Sequence, residues 1–217
     1  LCTGVYARLC GYEATILERH AYPGGLATSW TRGGYTFETC LHWFLGAAPG
    51  GTLGRPWREV FDVDALRFVQ AEEYQRVEAE DGRSLAILSD VDRMEAELLR
   101  AAPEDAAEIA AFTAAIRQMS RFPMEDLTAA WPRRAWALLR LIPKLPLLRR
   151  WAGMSAAEYG KRFRNELLRR FFTDSATADM ATIGLVLMFA WMKAGHARYA
   201  VGGAKAIVDP IARRFRD

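Results

Sequence analysis

Cysteine is scarce in this chain. Cys2, Cys10 and Cys40 are the only three in 217 residues. Their number is odd and no metal-ligand spacing links them, so neither a disulfide framework nor a zinc site is expected. They suit a reducing compartment, and burial as small apolar residues is expected of them. A long apolar run is also missing: the longest, MATIGLVLMFAWM at residues 180–192, falls short of the roughly 20 residues that a membrane-crossing helix needs. It is long enough for a buried helix, and ordinary core packing is expected of it before a role as the wall of an apolar tunnel. No secretory signal stands at the start, which is Leu1 rather than Met, so a cut or processed end is expected there. No catalytic triad, metal cluster or paired carboxylates stand out. The formal net charge of +3 is too mild to call for nucleic acid.

Basic charge is instead concentrated locally. Between Arg133 and Arg170 there are nine Arg and two Lys against Glu158 and Glu166, with Leu and Trp interleaved. Within it, RRAWALLRLIPKLPLLRRWAG at residues 133–153 is broken by Pro143 and Pro146. That mixture suits a segment lying in the headgroup zone of an anionic membrane. A solvated basic face over a normal core is the competing reading, and the residues alone leave both open.

The first thirty residues carry more chemistry. Leu1, Val5 and Leu9 recur at four-residue spacing and Gly11 follows, which predicts a short helix ending at a glycine. Residues 14–17 then form a brief apolar run suited to a buried parallel strand. Helix then strand is the second half of a βαβ unit. In the dinucleotide-binding version, an acid about 20 residues beyond a glycine-rich turn accepts hydrogen bonds from ribose hydroxyls. Glu18 stands where that acid belongs, although a strand-end acid alone is equally an ordinary cap. Pro23, Gly24 and Gly25 follow, and adjacent glycines let backbone N–H groups approach a ligand closely.

Taken together, GYEATILERHAYPGGLATSW and TRGGYTFETCLHWFLG resemble the flavin-binding region of FAD-dependent oxidoreductases of the phytoene desaturase type, which include carotenoid isomerase-like and retinol saturase-like proteins. The class is that of the amine-oxidase-like flavoproteins. The likeness continues more loosely through Asp81-Gly82, residues 90–93, MSAAEYGKRF and YAVGGAKAIVDPIARRF. The resemblance implies that Glu18 holds the adenosine ribose of FAD. Gly24 and Gly25 would lie against the diphosphate and ring, with Arg19, Leu26 and Ala27 beside them. Leu26 stands where many members carry Arg, a departure that removes a direct charge contact. His42, in the aromatic run at residues 35–46, is the candidate for proton chemistry or flavin contact, set against simple packing between Leu41 and Trp43. No metal ligand set is expected.

The resemblance implies an α/β fold: a partial Rossmann-like FAD-binding domain whose first strand and glycine-rich turn are missing, with a largely helical substrate domain containing a small β portion. The expected divisions are 1–55 for the partial FAD-binding region, 56–100 for a β-hairpin and linking helix, 101–198 for the helical substrate or membrane-facing domain, and 199–217 for the return segment. Within these, the residues predict a hairpin around Asp81-Gly82 and a helix capped by Ser89 or Asp90. A stripe of Ile109, Phe112, Ile116 and Met119 predicts a further helix. Ser155 with Glu158 predicts a capping box opening one helix that carries Tyr159, Phe163, Leu167 and Phe171. Pro210 predicts a kink or a restart in a helix over residues 204–216.

The activity implied is hydride exchange between FAD and a hydrophobic polyunsaturated substrate, carotenoid-, isoprenoid- or retinoid-like, as desaturation, saturation or isomerisation. An amine oxidase or protoporphyrinogen oxidase-like flavoenzyme would share the same front residues. A non-catalytic lipid-binding fragment is the alternative of another class. A truncated chain, weak in FAD binding and inactive alone, is expected, with a cytoplasmic location peripheral to the inner face of a membrane and contact through residues 133–170.

Overall fold

The computed structural model describes residues 1–38, 41, 43–122 and 130–217. The chain divides into two units, one of residues 1–70 with 195–217 and the other of residues 71–194. Residues 56–70 therefore stand with the N-terminal segment, and residues 195–198 with the C-terminal one.

In the first unit, α1 (Cys2–Leu9) ends as its glycine requires. Gly11 takes φ +85°, its N–H bonds the Arg8 carbonyl, and the Tyr12 N–H bonds the Ala7 carbonyl. That pair of bonds is the Schellman closure of a helix. Residues 14–17 do not form the expected strand: they belong to no ladder, and Leu17 is 93% exposed. Extended backbone becomes a strand only beside a partner, and no described strand lies there. Burial of the thiols is also corrected. Cys10, at the helix end, is exposed and Cys2 is half-buried, while Cys40 lies outside the described residues.

A hairpin of β1 (Ser29–Arg32) and β2 (Tyr35–Glu38) turns at Gly33 and Gly34, both at positive φ. A two-residue Gly-Gly loop flanked by aromatic and β-branched residues is the local signal for it. The Trp30 and Phe37 rings, opposite each other across the hairpin, stack at 5.5 Å. The other sheet has β7 (Ala197–Ala200) at its centre, between β3 (Phe44–Leu45) and β4 (Phe68–Val69), all antiparallel. Around it α2 (Arg55–Val60) and α10 (Gly203–Arg216) close a core containing Val5, Phe44, Val60, Phe61, Ile207 and Ile211. The α10 helix runs on through Pro210 instead of restarting there.

The second unit is mostly helical. Its hairpin, β5 (Glu73–Glu78) and β6 (Ser84–Leu88), forms where Asp81-Gly82 predicts it. The Asp90 side chain then caps α3 (Val91–Ala101) by accepting from the Asp92 and Arg93 N–H groups. On α4 (Ala106–Ser120), Ile109, Phe112, Ile116 and Met119 are all buried, as one stripe. Phe112 meets the rings of Trp151, Tyr159, Phe172 and Phe189 at centroid distances of 5.5–6.2 Å. A break in residues 133–153 also appears, as α5 (Arg133–Leu141), a 3₁₀ turn at Ile142–Lys144 and α6 (Leu145–Ala152).

Both halves of the capping box at Ser155 and Glu158 are made. The helix they open is short, however. It is α7 (Ala156–Gly160), and a separate α8 (Glu166–Thr173) follows. The break has a physical cause: Asp105, 5% exposed, accepts from the backbone N–H groups of Arg164 and Asn165, and Asn165 caps the new helix through Leu168. Finally, α9 (Thr182–Lys193) buries Leu185, Val186 and Phe189. The apolar run is core, as expected of it.

Candidate functional site

A cavity of about 520 Å³ lies wholly in the first unit. Its walls come from several segments. Leu1 and Cys2 contribute from α1, Ile16 and Glu18 from the extended segment, and Pro23, Gly24, Gly25 and Ala27 from the loop after it. Aromatic walls are added by Trp43, Phe44 and Trp57, and α10 closes the remaining side with Ile207, Val208 and Ile211.

Local geometry explains why the loop can line it. Gly24 holds φ +127° and Gly25 φ +61°, conformations that only glycine adopts without strain. A Cβ on Gly24 would come within 2.9 Å of the Ala27 carbonyl oxygen and 3.1 Å of Val208, whereas one on Gly25 would meet nothing within 4 Å. Gly24 is thus the point where the loop packs on α10, and Gly25 faces open space. The Lys205 ammonium sits 4.5 Å over the Tyr22 ring, a second tie between the loop and α10. The Glu18 carboxylate turns back to accept the His20 N–H at 2.9 Å, fixing the side chain at the cavity wall.

Of the residues singled out by sequence, Glu18, Gly24, Gly25 and Ala27 are brought together here. Arg19 and Leu26 are not: neither lines the cavity, Arg19 is exposed and Leu26 is 81% exposed. His42 lies outside the described residues. Among the described residues the lining holds one carboxylate and no cationic side chain. Such a surface fits a flat ring system and a sugar whose hydroxyls donate to Glu18. Within the lining itself, any diphosphate would rely on backbone N–H groups instead of side-chain charge.

Two contributions escape a reading of the front residues alone. Trp57, whose indole N–H is held by the Leu45 carbonyl at 3.0 Å, completes the aromatic wall from α2. Glu38, at the end of β2, reaches α10 and accepts the Ala204 N–H at 3.0 Å. Burial and the neighbouring Glu38 carboxylate push the Tyr199 phenol above its ordinary pKa. Aromatic enrichment at residues 35–46 was the available signal for the wall. Nothing local signals the pairing of Glu38 with α10.

Residues 1–62 match the sequence model of the NAD(P)-binding Rossmann-like domain. The neurosporene-forming phytoene desaturase of Rhodobacter capsulatus is 26% identical over 216 residues, covering 95% of this chain and 40% of that protein. The chain is similar to phytoene desaturases along nearly its whole length. The counterpart from Cereibacter sphaeroides is 24% identical over 213 residues, covering 94% of this chain and again 40% of the relative. The chain therefore spans about 40% of the length of the curated relatives it matches. The resemblance read from residues 11–46 is borne out, and so is a mixed α/β fold with a Rossmann-like front. No helix among the described residues is long and apolar enough to cross a membrane.

Proposed function

We propose that these residues form part of a flavin-dependent oxidoreductase that exchanges hydride between FAD and a hydrophobic, polyunsaturated isoprenoid of the carotenoid kind. The observation that carries the reading is the cavity that gathers Glu18, Gly24 and Gly25 against an aromatic and aliphatic wall. Similarity to phytoene desaturases along nearly the whole chain supports it.

The residues fit part of such a cofactor. Glu18 would accept hydrogen bonds from ribose hydroxyls, Gly24 and Gly25 would bring backbone against the ligand, and Ile16, Ile207 and Ile211 would offer apolar contact. When bound, the flavin supplies hydride acceptance and donation, chemistry that no side chain of the chain provides. The protein's part is to hold, orient and keep water out, which matches a lining that is mostly carbon.

Titration with FAD, adenosine diphosphate and FMN, read by tryptophan emission from Trp43 and Trp57, tests the cofactor assignment. FAD and adenosine diphosphate are expected to perturb emission in competition with each other, and FMN is not. Glu18→Ala is expected to weaken the two adenosine ligands by about tenfold, the worth of a charge-assisted hydrogen bond. Equal binding by wild type and Glu18→Ala would remove Glu18 from the ribose role.

A further inference from the structure

The cavity of the first unit meets a nucleotide with an acid and with backbone, but among the described residues its lining includes no cation. A diphosphate is anionic on both phosphates, and beside aliphatic and aromatic walls an unpaired charge is costly. Backbone N–H groups at Gly24 and Gly25 offset part of that cost. Leu26, the next residue, is aliphatic and 81% exposed, so the loop itself adds no charge there. A cation does stand at the loop's edge. Lys205 lies in the first turn of α10, one turn before Val208, and Val208 is the side chain on which Gly24 packs. Its ammonium is 4.5 Å from the centroid of the Tyr22 ring, two residues before Gly24.

That ring is a weak hold. Among the described residues Lys205 forms no ion pair and donates no hydrogen bond, although Asp209 follows at i+4. A lysine placed N-terminal to an acid at this spacing is the poorer orientation of such a pair. Both Lys205 and Tyr22 are exposed, and an exposed cation over an aromatic ring is favoured by a factor of only about two to five. An anion within reach would outcompete the ring. The other basic side chains close in sequence to the cavity walls are placed differently. Arg8 on α1 donates to the Phe215 carbonyl and lies over the Phe215 ring. Arg19 is exposed and does not line the cavity.

We infer that Lys205 is the phosphate-binding cation of this cavity: its ammonium leaves the Tyr22 ring and pairs with the diphosphate of an adenosine nucleotide lying along Gly24 and Gly25. The inference rests on the nucleotide reading of the cavity and adds the residue that carries the charge contact. The α10 helix then serves the site twice. Ile207, Val208 and Ile211 form its apolar wall, and Lys205, one turn before Val208, reaches past the loop's edge to the phosphates.

Calorimetric titration of the 217-residue chain with adenosine and with adenosine diphosphate tests the inference. Both are expected to bind the wild type, the diphosphate more tightly, with a preference that shrinks as salt is added. Lys205→Gln is expected to weaken adenosine diphosphate by about tenfold and to leave adenosine unchanged. Lys205→Arg is expected to restore most of the preference, since the charge is kept. Tyr22→Leu removes the competing ring and is expected to strengthen adenosine diphosphate by about two- to fivefold without changing adenosine. Arg213→Gln, two turns further along α10, is expected to change neither ligand. Urea unfolding verifies that each variant is folded. Equal affinity of wild type and Lys205→Gln for adenosine diphosphate overturns the inference and leaves the nucleotide reading standing. A loss shown by Arg19→Gln in place of Lys205→Gln also overturns it, because the charge then comes from the segment beside Glu18. So does equal weakening of both ligands by Lys205→Gln or Tyr22→Leu, because the pair then holds the loop and not the phosphate. Failure of both ligands to bind the wild type overturns the nucleotide reading itself, and the inference with it.

Discussion

The Glu38 carboxylate accepts the backbone N–H of Ala204 at 3.0 Å across 166 residues of sequence, so the end of β2 caps the first turn of α10. Its other oxygen is buried and contacts Gly203, which holds φ +64°. A Cβ on Gly203 would collide with that oxygen. Gly203→Ala therefore meets two penalties, a left-handed backbone and a collision with a buried carboxylate. A loss of about 2–4 kcal/mol is expected in urea unfolding. Glu38→Gln should cost little, since the amide oxygen still accepts, while Glu38→Ala should cost about 1–2 kcal/mol for the lost cap. A Gly203→Ala variant as stable as wild type would show that Glu38 is free to leave α10.

Gly24 and Gly25 are neighbours with opposite expectations. Both have positive φ, but only Gly24 packs on the Ala27 carbonyl and Val208. Gly24→Ala is expected to destabilise the fold by about 2–4 kcal/mol through strain and crowding. Gly25→Ala should cost only about 1 kcal/mol, the left-handed penalty alone. Thermal unfolding of the two variants side by side checks the contrast, and equal losses would contradict it.

In the second unit, Arg117 bridges Glu95 and Asp92, and Lys193 also holds Asp92 at 3.0 Å. Hydrogen bonding to Arg117 lowers the pKa of Glu95, and Arg117 and Lys193 lower that of Asp92. A carboxylate whose folded pKa is depressed contributes stability that is full above its unfolded value, near pH 4, and is lost as pH falls through the folded one. Acid titration of urea unfolding should therefore show stability falling below about pH 4. Arg117→Gln should flatten that part of the profile, while lowering stability near neutral pH by only about 1 kcal/mol, as solvent screens these half-exposed pairs. An unchanged acid limb in the variant would assign the acid sensitivity to other carboxylates.

The sequence made legible those elements whose cause is local. Gly11 closes α1, Asp90 caps α3, Asp81-Gly82 turns the β5–β6 hairpin, and Ser155 with Glu158 opens α7 because each signal acts within a few residues. Elements that depend on a distant partner were not legible. Residues 14–17 read as a strand by composition, yet a strand exists only in a ladder. One helix through Phe163 was expected because the periodicity runs on, but the Asp105 carboxylate, 59 residues away from Arg164, takes the N–H groups at the break. The candidate site shows the same division. Glu18, Gly24, Gly25 and Ala27 could be read from spacing and resemblance, whereas Trp57 and the α10 wall come from tertiary packing. Arg19 and Leu26 adjoin the site in sequence but turn outward.

The cavity wall formed by Ile207, Val208 and Ile211 offers a test of shape apart from the acid. Enlarging a residue that faces empty space should block a ligand without harming the core, whereas enlarging a packed one should do the reverse. Val208 touches Gly24 and Ile207 belongs to the core cluster, so neither separates the two effects. Ala27, half-exposed on the loop and lining the cavity, does. Ala27→Leu is expected to leave unfolding within about 0.5 kcal/mol of wild type, as a surface substitution does. The same change should weaken adenosine diphosphate and FAD by about tenfold through lost space. Retained affinity in the Leu variant would move the nucleotide elsewhere in the cavity, toward Trp43 and Trp57, and a matching Trp57→Phe titration would then locate it.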